Sequence, residues 1–226
     1  MQKLILLASC AVAVSACTYS SHGSAENRSV ASSGMVASRH VDVTGNAEFS
    51  GMIVNANGTV GRDLDLSGAS VTSDASVGGD LTASGASVRF TGSVAGNSEI
   101  AAATTWLDAD FGGNLDVAGA RVTIDGRVDG RLELHGAHMS LKGDFLGPIN
   151  VIGEGRQTND RDHNGRAILS GNFAEGGFVC ATYVNIRDSA RFGAPLRIIA
   201  SERPEGGPSN FDFELLNGRD CSRIEI

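Results

Sequence analysis

Cut into blocks of seventeen, residues 60–144 align without a gap. The blocks open VGRDLDLSGASV, VGGDLTASGASV, VAGNSEIAAATT, FGGNLDVAGARV and VDGRLELHGAHM, at Val60, Val77, Val94, Phe111 and Val128. That period is long enough for one coil of a solenoid and far too short for a domain. We number positions within each block from its first residue. Position five is Leu64, Leu81, Ser98, Leu115 and Leu132; position seven is Leu66, Ala83, Ile100, Val117 and Leu134. Position twelve is Val71, Val88, Thr105, Val122 and Met139; position fourteen is Ser73, Phe90, Leu107, Ile124 and Leu141. Apolar sites spaced by two are the signature of strands with one buried face. An odd period requires one break of that alternation per turn. We place it beside the glycines of position nine (Gly68, Gly85, Gly119, Gly136), reading them as a corner at positive φ. The small residues of positions three, ten and sixteen, including Ala69, Ala86, Ala103, Ala120 and Ala137, are then expected to face inward.

The sequence therefore predicts an all-β chain: a single-stranded β-solenoid, taken as a right-handed β-helix, over residues 41–200, in about nine coils. Residues 43–59 fit as one earlier coil, and residues 145–153, 167–173 and 192–199 as later ones, with a charged insertion at 154–166. At about 4.8 Å per coil the rod would be roughly 40 Å long. Composition agrees: 30 Gly, only 4 Pro and 5% aromatics fit many short strands and tight corners better than a linker or a collagen. The formal charge of −8 and the absence of a basic run argue against nucleic acid as a partner.

Residues 1–16 read as an export leader: Lys3, then an apolar run over 4–16 that is too short to span a bilayer. Val14-Ser15-Ala16-Cys17 resembles the lipobox of bacterial lipoproteins. Leu7-Ala8-Ser9-Cys10 fits the pattern too, but a cut there would leave only six residues after Lys3. The resemblance implies acylation of Cys17, palmitate included, and a lipid anchor in the membrane; Thr18 rather than Asp after it implies the outer membrane of a Gram-negative bacterium. Residues 17–40, rich in Ser, Ala and Gly, are expected to form a flexible tether.

Residues 201–226 break the period and are expected to cap the end or side of the rod. An exported chain favours a disulfide between Cys180 and Cys221. Asp160, Asp162 and Asn164, followed by Gly165, resemble the first half of a calcium loop, but Gly171 stands where the bidentate Glu belongs, so no metal and no cofactor is expected. Acids form outward rows at position four (Asp63, Asp80), six (Asp65, Glu99, Asp116, Glu133) and fifteen (Asp74, Asp108, Asp125), read as a guard against lateral sheet pairing. His135 and His138 flank one corner, and Trp106 takes an outward site, as a contact point or packed under the tail.

The V-x-G-x-L-x-x-x-G-A-x-V-x-I-x-G rhythm over residues 43–153 resembles that of the bactofilins, a family of polymer-forming bacterial cytoskeletal proteins. The resemblance implies a β-helix that can associate end to end. The expected function is non-enzymatic: a rigid cell-envelope lipoprotein serving as scaffold or adhesin-like module, with an envelope protein or polysaccharide as partner. The alternatives are a self-assembling polymer through the solenoid ends and, second, a polysaccharide-cleaving β-helix using Asp108 and Asp125.

Overall fold

The computed structural model describes residues 18–22, 29–154, 165–204, 206–217 and 220–224. Leading strands are β1 (Thr18–His22) and β2 (Ser29–Val43). Six strands of equal length follow: β3 (Ala47–Val60), β4 (Leu64–Val77), β5 (Leu81–Val94), β6 (Ser98–Phe111), β7 (Leu115–Val128) and β8 (Leu132–Phe145). Shorter strands complete the stack: β9 (Ile149–Gly153), β10 (Arg166–Leu169), β11 (Asn172–Phe173), β12 (Gly177–Cys180), β13 (Tyr183–Ile186), β14 (Arg191–Phe192), β15 (Leu196–Ala200) and β16 (Phe211–Leu215). All belong to one sheet that winds into a β-solenoid of about ten turns.

The register is the sequence period made physical. From β2 to β8 the paired residues are seventeen apart and parallel, as Leu64 is with Leu81, and the ladder skips position ten. The pairings of β8 reveal the cross-section. Its first part, from Leu132, pairs with β9, its middle, from His138, with β10, and its end, from Asp144, with β11. Each coil thus has three sides, at positions five to nine, eleven to fourteen, and seventeen to one of the next block.

The core is a column of like over like. Leu64, Leu81, Leu115 and Leu132 are at most 1% exposed. On the third side Phe145, Phe173 and Phe192 stack in register, with ring centroids 5.1 and 5.7 Å apart. Positions seven and fourteen trade volume: Phe49 with Ala56, then Ala83 with Phe90, all buried. Where one is aromatic the other is Ala, as expected of two side chains sharing one layer of a close-packed interior.

The alternation breaks one step later than expected. Position ten faces out: Ala69, Ala86, Ala103 and Ala120 are exposed. The inward corner site is position nine itself, where Ala102 is 7% exposed. Gly68, Gly85, Gly119 and Gly136 there are not at positive φ. They are small because the coil below lies close: a Cβ on Gly85 would come 2.1 Å from the Gly68 carbonyl oxygen. Positive φ occurs instead at position sixteen, in Gly58, Gly92, Gly126 and Gly143, with φ from +117 to +158°. The Ala75 and Ala109 at that position are buried without it.

Three boundaries also move. The stack begins at Ser29, not residue 41, because Ser29–Val43 forms a full coil under β3. The expected tether of 17–40 is therefore largely folded, and β1 pairs antiparallel with residues 29–33 of β2 along the first coil's edge. The insertion ends before Arg166, which already pairs with His138. Residues 155–164 lie outside the described set, as do the leader and Cys17.

At the other end β16 adds a final parallel strand on β15. Leu216 and Cys221 then fold back against the outer face of the last coils, covering Ile152, Cys180 and Ile199 in a second small core. The Cys180–Cys221 disulfide fixes that flap, with Cα atoms 5.6 Å apart. The tail thus caps both the end and one side. Asp220 caps the short 3-10 turn Cys221–Arg223; the Ser222 hydroxyl and amide donate to its carboxylate and hold its pKa below the usual range.

Four buried polar atoms have no hydrogen-bond partner among the described residues: Ser73 Oγ, Ser98 Oγ, Thr105 Oγ1 and Asn150 Oδ1. Thr105 is 1% exposed and sits in the position-twelve column otherwise filled by Val71, Val88, Val122 and Met139. Thr105→Val keeps the shape and removes an unsatisfied hydroxyl, so it is expected to stabilise the chain by about 1 kcal/mol. Thermal unfolding would check this; an unchanged or lowered midpoint would show that the hydroxyl is satisfied.

Candidate functional site

The acidic rows resolve into different roles. Position four is a ladder at the corner between the third and first sides. Asp80 N–H donates to Asp63 Oδ1 (3.1 Å), Asn97 N–H to Asp80 Oδ1 (2.7 Å), Asn114 N–H to Asn97 Oδ1 (3.0 Å) and Arg131 N–H to Asn114 Oδ1 (3.0 Å). Each side chain accepts the amide of the next coil where that amide has no strand partner, so Asp63 and Asp80 hold the corner together. In the position-fifteen row Lys142 donates to Asp125, and the carboxylate raises the lysine pKa. At position six Glu99, Asp116 and Glu133 lie on successive coils along a groove of about 250 Å³.

His135 is held between two carboxylates, with Nδ1 3.2 Å from Glu154 Oε1 and Nε2 3.5 Å from Glu133 Oε1. His138 stands instead in a row between Arg121 and Arg166. Among the described residues no three His, Cys, Asp or Glu are grouped to hold a metal. Trp106 is half-buried, and the Arg89 guanidinium of the coil below lies 3.4 Å from its ring centroid. Asp160, Asp162 and Asn164 lie outside the described residues.

A larger cavity than the position-six groove lies on the second side of the last coils. β10 and β13 pair so that Arg166 meets Tyr183 and Ile168 meets Asn185. Strand alternation buries Ala167, Leu169, Val184 and Ile186, and turns Arg166, Ile168, Tyr183 and Asn185 outward. Arg187 follows directly. The segment Glu202-Arg203-Pro204, leaving β15 for the tail, crosses beside them as a second wall, with Pro204 buried. Between the walls is a cleft of about 420 Å³.

Its chemistry is cationic and amphipathic. Arg166, Arg187 and Arg203 bring three guanidiniums against one carboxylate, Glu202. Among the described residues none of the three forms an ion pair. Arg166 lies 5.9 Å from the Tyr183 ring centroid, and that tyrosine is 47% exposed. Arg203 covers the Phe211 ring of the last strand at 5.1 Å. The body below is the opposite in sign: residues 41–153 carry 14 acids against 6 Lys and Arg. Planar guanidiniums beside an open aromatic face suit a carboxylate, sulfate or phosphate borne on a ring or chain.

Reading the sequence for motifs missed this cleft. Its residues are not close in the chain; the period resuming after the insertion (Arg166 to Tyr183, seventeen apart) is the signal that could have paired the first two. Arg203 arrives only through the path of the tail. No protein-family model, no curated protein and no solved structure matches this chain.

Proposed function

We propose that the chain is a non-enzymatic cell-envelope lipoprotein: a lipid-anchored rigid rod whose C-terminal cleft binds an anionic envelope component, an acidic polysaccharide above all. The observation that carries this reading is the trio Arg166, Arg187 and Arg203 around Tyr183, without ion pairs among the described residues, on coils braced by the Cys180–Cys221 flap. Three exposed guanidiniums beside a single carboxylate repel one another, and an anionic ligand relieves that repulsion. The solenoid supplies a scaffold on which every inner coil is held by two neighbours. The Val14-Ser15-Ala16-Cys17 motif supplies the reason to place it on a membrane, at the outer membrane of a Gram-negative cell.

The test uses the full chain purified from membranes. Cys17 should carry acyl chains by mass. Acidic polysaccharides should bind and neutral ones should not, and binding should weaken with salt. Arg187→Ala with Arg203→Ala should weaken it by about tenfold or more, because two charge-assisted contacts are lost. Equal binding of neutral and acidic glycans would sink the cleft. Size growing with concentration would replace this reading by the end-to-end polymer. Cleavage of a bound glycan, lost on Asp108→Asn and Asp125→Asn, would replace it by the enzyme.

A further inference from the structure

Positions ten and eleven line one ridge of the rod, at the corner between the first and second sides. In the five coils of residues 60–144 that ridge is small or polar: Ala69-Ser70, Ala86-Ser87, Ala103-Thr104, Ala120-Arg121 and Ala137-His138. In the first two coils it is Met35-Val36 and Met52-Ile53. Val36 stacks on Ile53, and the flanking Gly34 on Gly51, in the β2–β3 register, so Met52 follows Met35 along the ridge. All four are exposed: Met35 64%, Met52 59%, Val36 48% and Ile53 44%. Among the described residues the only other large hydrophobics so exposed are Tyr183 and Leu215, both near the far end. Four large apolar side chains on adjacent coils, where the next five coils have small or polar ones, form a patch rather than scattered exposure.

The chain itself indicates what covers it. β1 begins at Thr18, and Thr18 lies opposite Ser33, two residues short of Met35 on the same strand. The residue before Thr18 is Cys17, preceded by the apolar run 4–16. Any membrane-seeking group at this end, acyl chains or leader, therefore enters the bilayer beside the patch, with no long tether between. We propose that Met35, Val36, Met52 and Ile53 dock the first two coils onto the lipid surface, seating them in the headgroup–acyl boundary and so fixing how the rod stands on the membrane. Thioether and branched aliphatic side chains suit that uneven boundary, and such binding grows with buried apolar area. The inference deepens the anchored reading, and rests on it for the acyl chains at Cys17.

The experiment reconstitutes the full chain, purified from membranes, in phosphatidylethanolamine/phosphatidylglycerol vesicles with brominated acyl chains. Met52→Trp in a Trp106→Phe background leaves one tryptophan, in the patch. Its emission should shift to the blue and be quenched by the bromines. In the unsubstituted chain, peroxide should oxidise Met35 and Met52 several-fold more slowly than in a chain carrying Met35→Ala, Val36→Ser and Ile53→Ser, in which Met52 alone reports; buried Met139 is the internal reference. The three replacements are the residues of the next coil, Ala69 and Ser70, so the fold tolerates them. An unquenched tryptophan on a chain that sediments with vesicles and bears acylated Cys17 would overturn the docking and leave the anchor standing. Quenching on a chain with unmodified Cys17 would uphold the docking and overturn the anchor. Protected methionines with an unquenched tryptophan would mean that a second copy covers the patch, and would overturn the proposal.

Discussion

Replacing both Cys180 and Cys221 by Ala will release the C-terminal flap and unravel the rod from that end. The bridge closes a loop across 41 positions, for which the chain-entropy argument gives a contribution of about 3–4 kcal/mol. The loss will be local. Leu216, Cys221 and Ile224 pack on the outer face of β9, β12 and β15, so their departure exposes Ile152 and Ile199 to water. It does not touch the main column between β2 and β8. In a stack whose coils contact only their neighbours, such damage frays one end and leaves the rest paired. Hydrogen exchange should show β12, β15 and β16 losing protection while β4 to β7 keep theirs. Uniform loss over the whole rod would mean that the coils fold as one unit. The same variant should lose the cleft, because Arg203 and Pro204 lie between β15 and the flap.

Phe90→Ala will destabilise the fifth strand's coil by about 3–5 kcal/mol, the cost of a large cavity in a packed column. Phe90 is fully buried, with its ring centroid 6.2 Å from that of Phe111. The sharper prediction concerns its partner. Two coils earlier the same layer is filled the other way round, by Phe49 at position seven and Ala56 at position fourteen. Ala83→Phe alone should overpack and cost about 1–3 kcal/mol. Combined with Phe90→Ala it should restore at least about 1 kcal/mol relative to Phe90→Ala alone, a coupling that only side chains sharing space can show. Denaturant unfolding of the three variants measures it. A double variant no more stable than Phe90→Ala would show that the two positions do not fill one layer.

The solenoid was legible in the sequence because its rule is local. A period of seventeen and an alternation of two assign a facing to most residues, and parallel register follows from identical neighbours. What that reasoning misplaced was the corner. Gly68 and Gly85 signal a bend, but whether they serve by positive φ or by close approach depends on the coil beneath, which sequence does not display. The contact of Gly85 with Gly68 is between residues seventeen apart. Asp63 and Asp80 misled for the same reason: a carboxylate row looks like a charged face until each oxygen is seen to accept the next coil's amide. Ser29–Val43 was missed because its Ser and Ala resemble a tether's composition, while its coil rests on pairing with β3.

By itself, the sequence determined the class of fold, the length of a coil, the identity of most buried columns and the pairing of the two cysteines. The first three follow from periodicity, and the last from the expectation that an exported chain would keep only these two thiols. Only the tertiary structure decided what the surface does. It brought Arg203 across a tail to Arg166 and Arg187, set Met35-Val36 beside Met52-Ile53 near the chain's first strand, and folded Leu216 and Cys221 onto the rod's flank. A repeat fixes what faces inward because the core is the same in every coil. A site forms where the repeat is broken, by an insertion, a tail or an end, and the path the chain takes there is settled by packing between residues that no period connects.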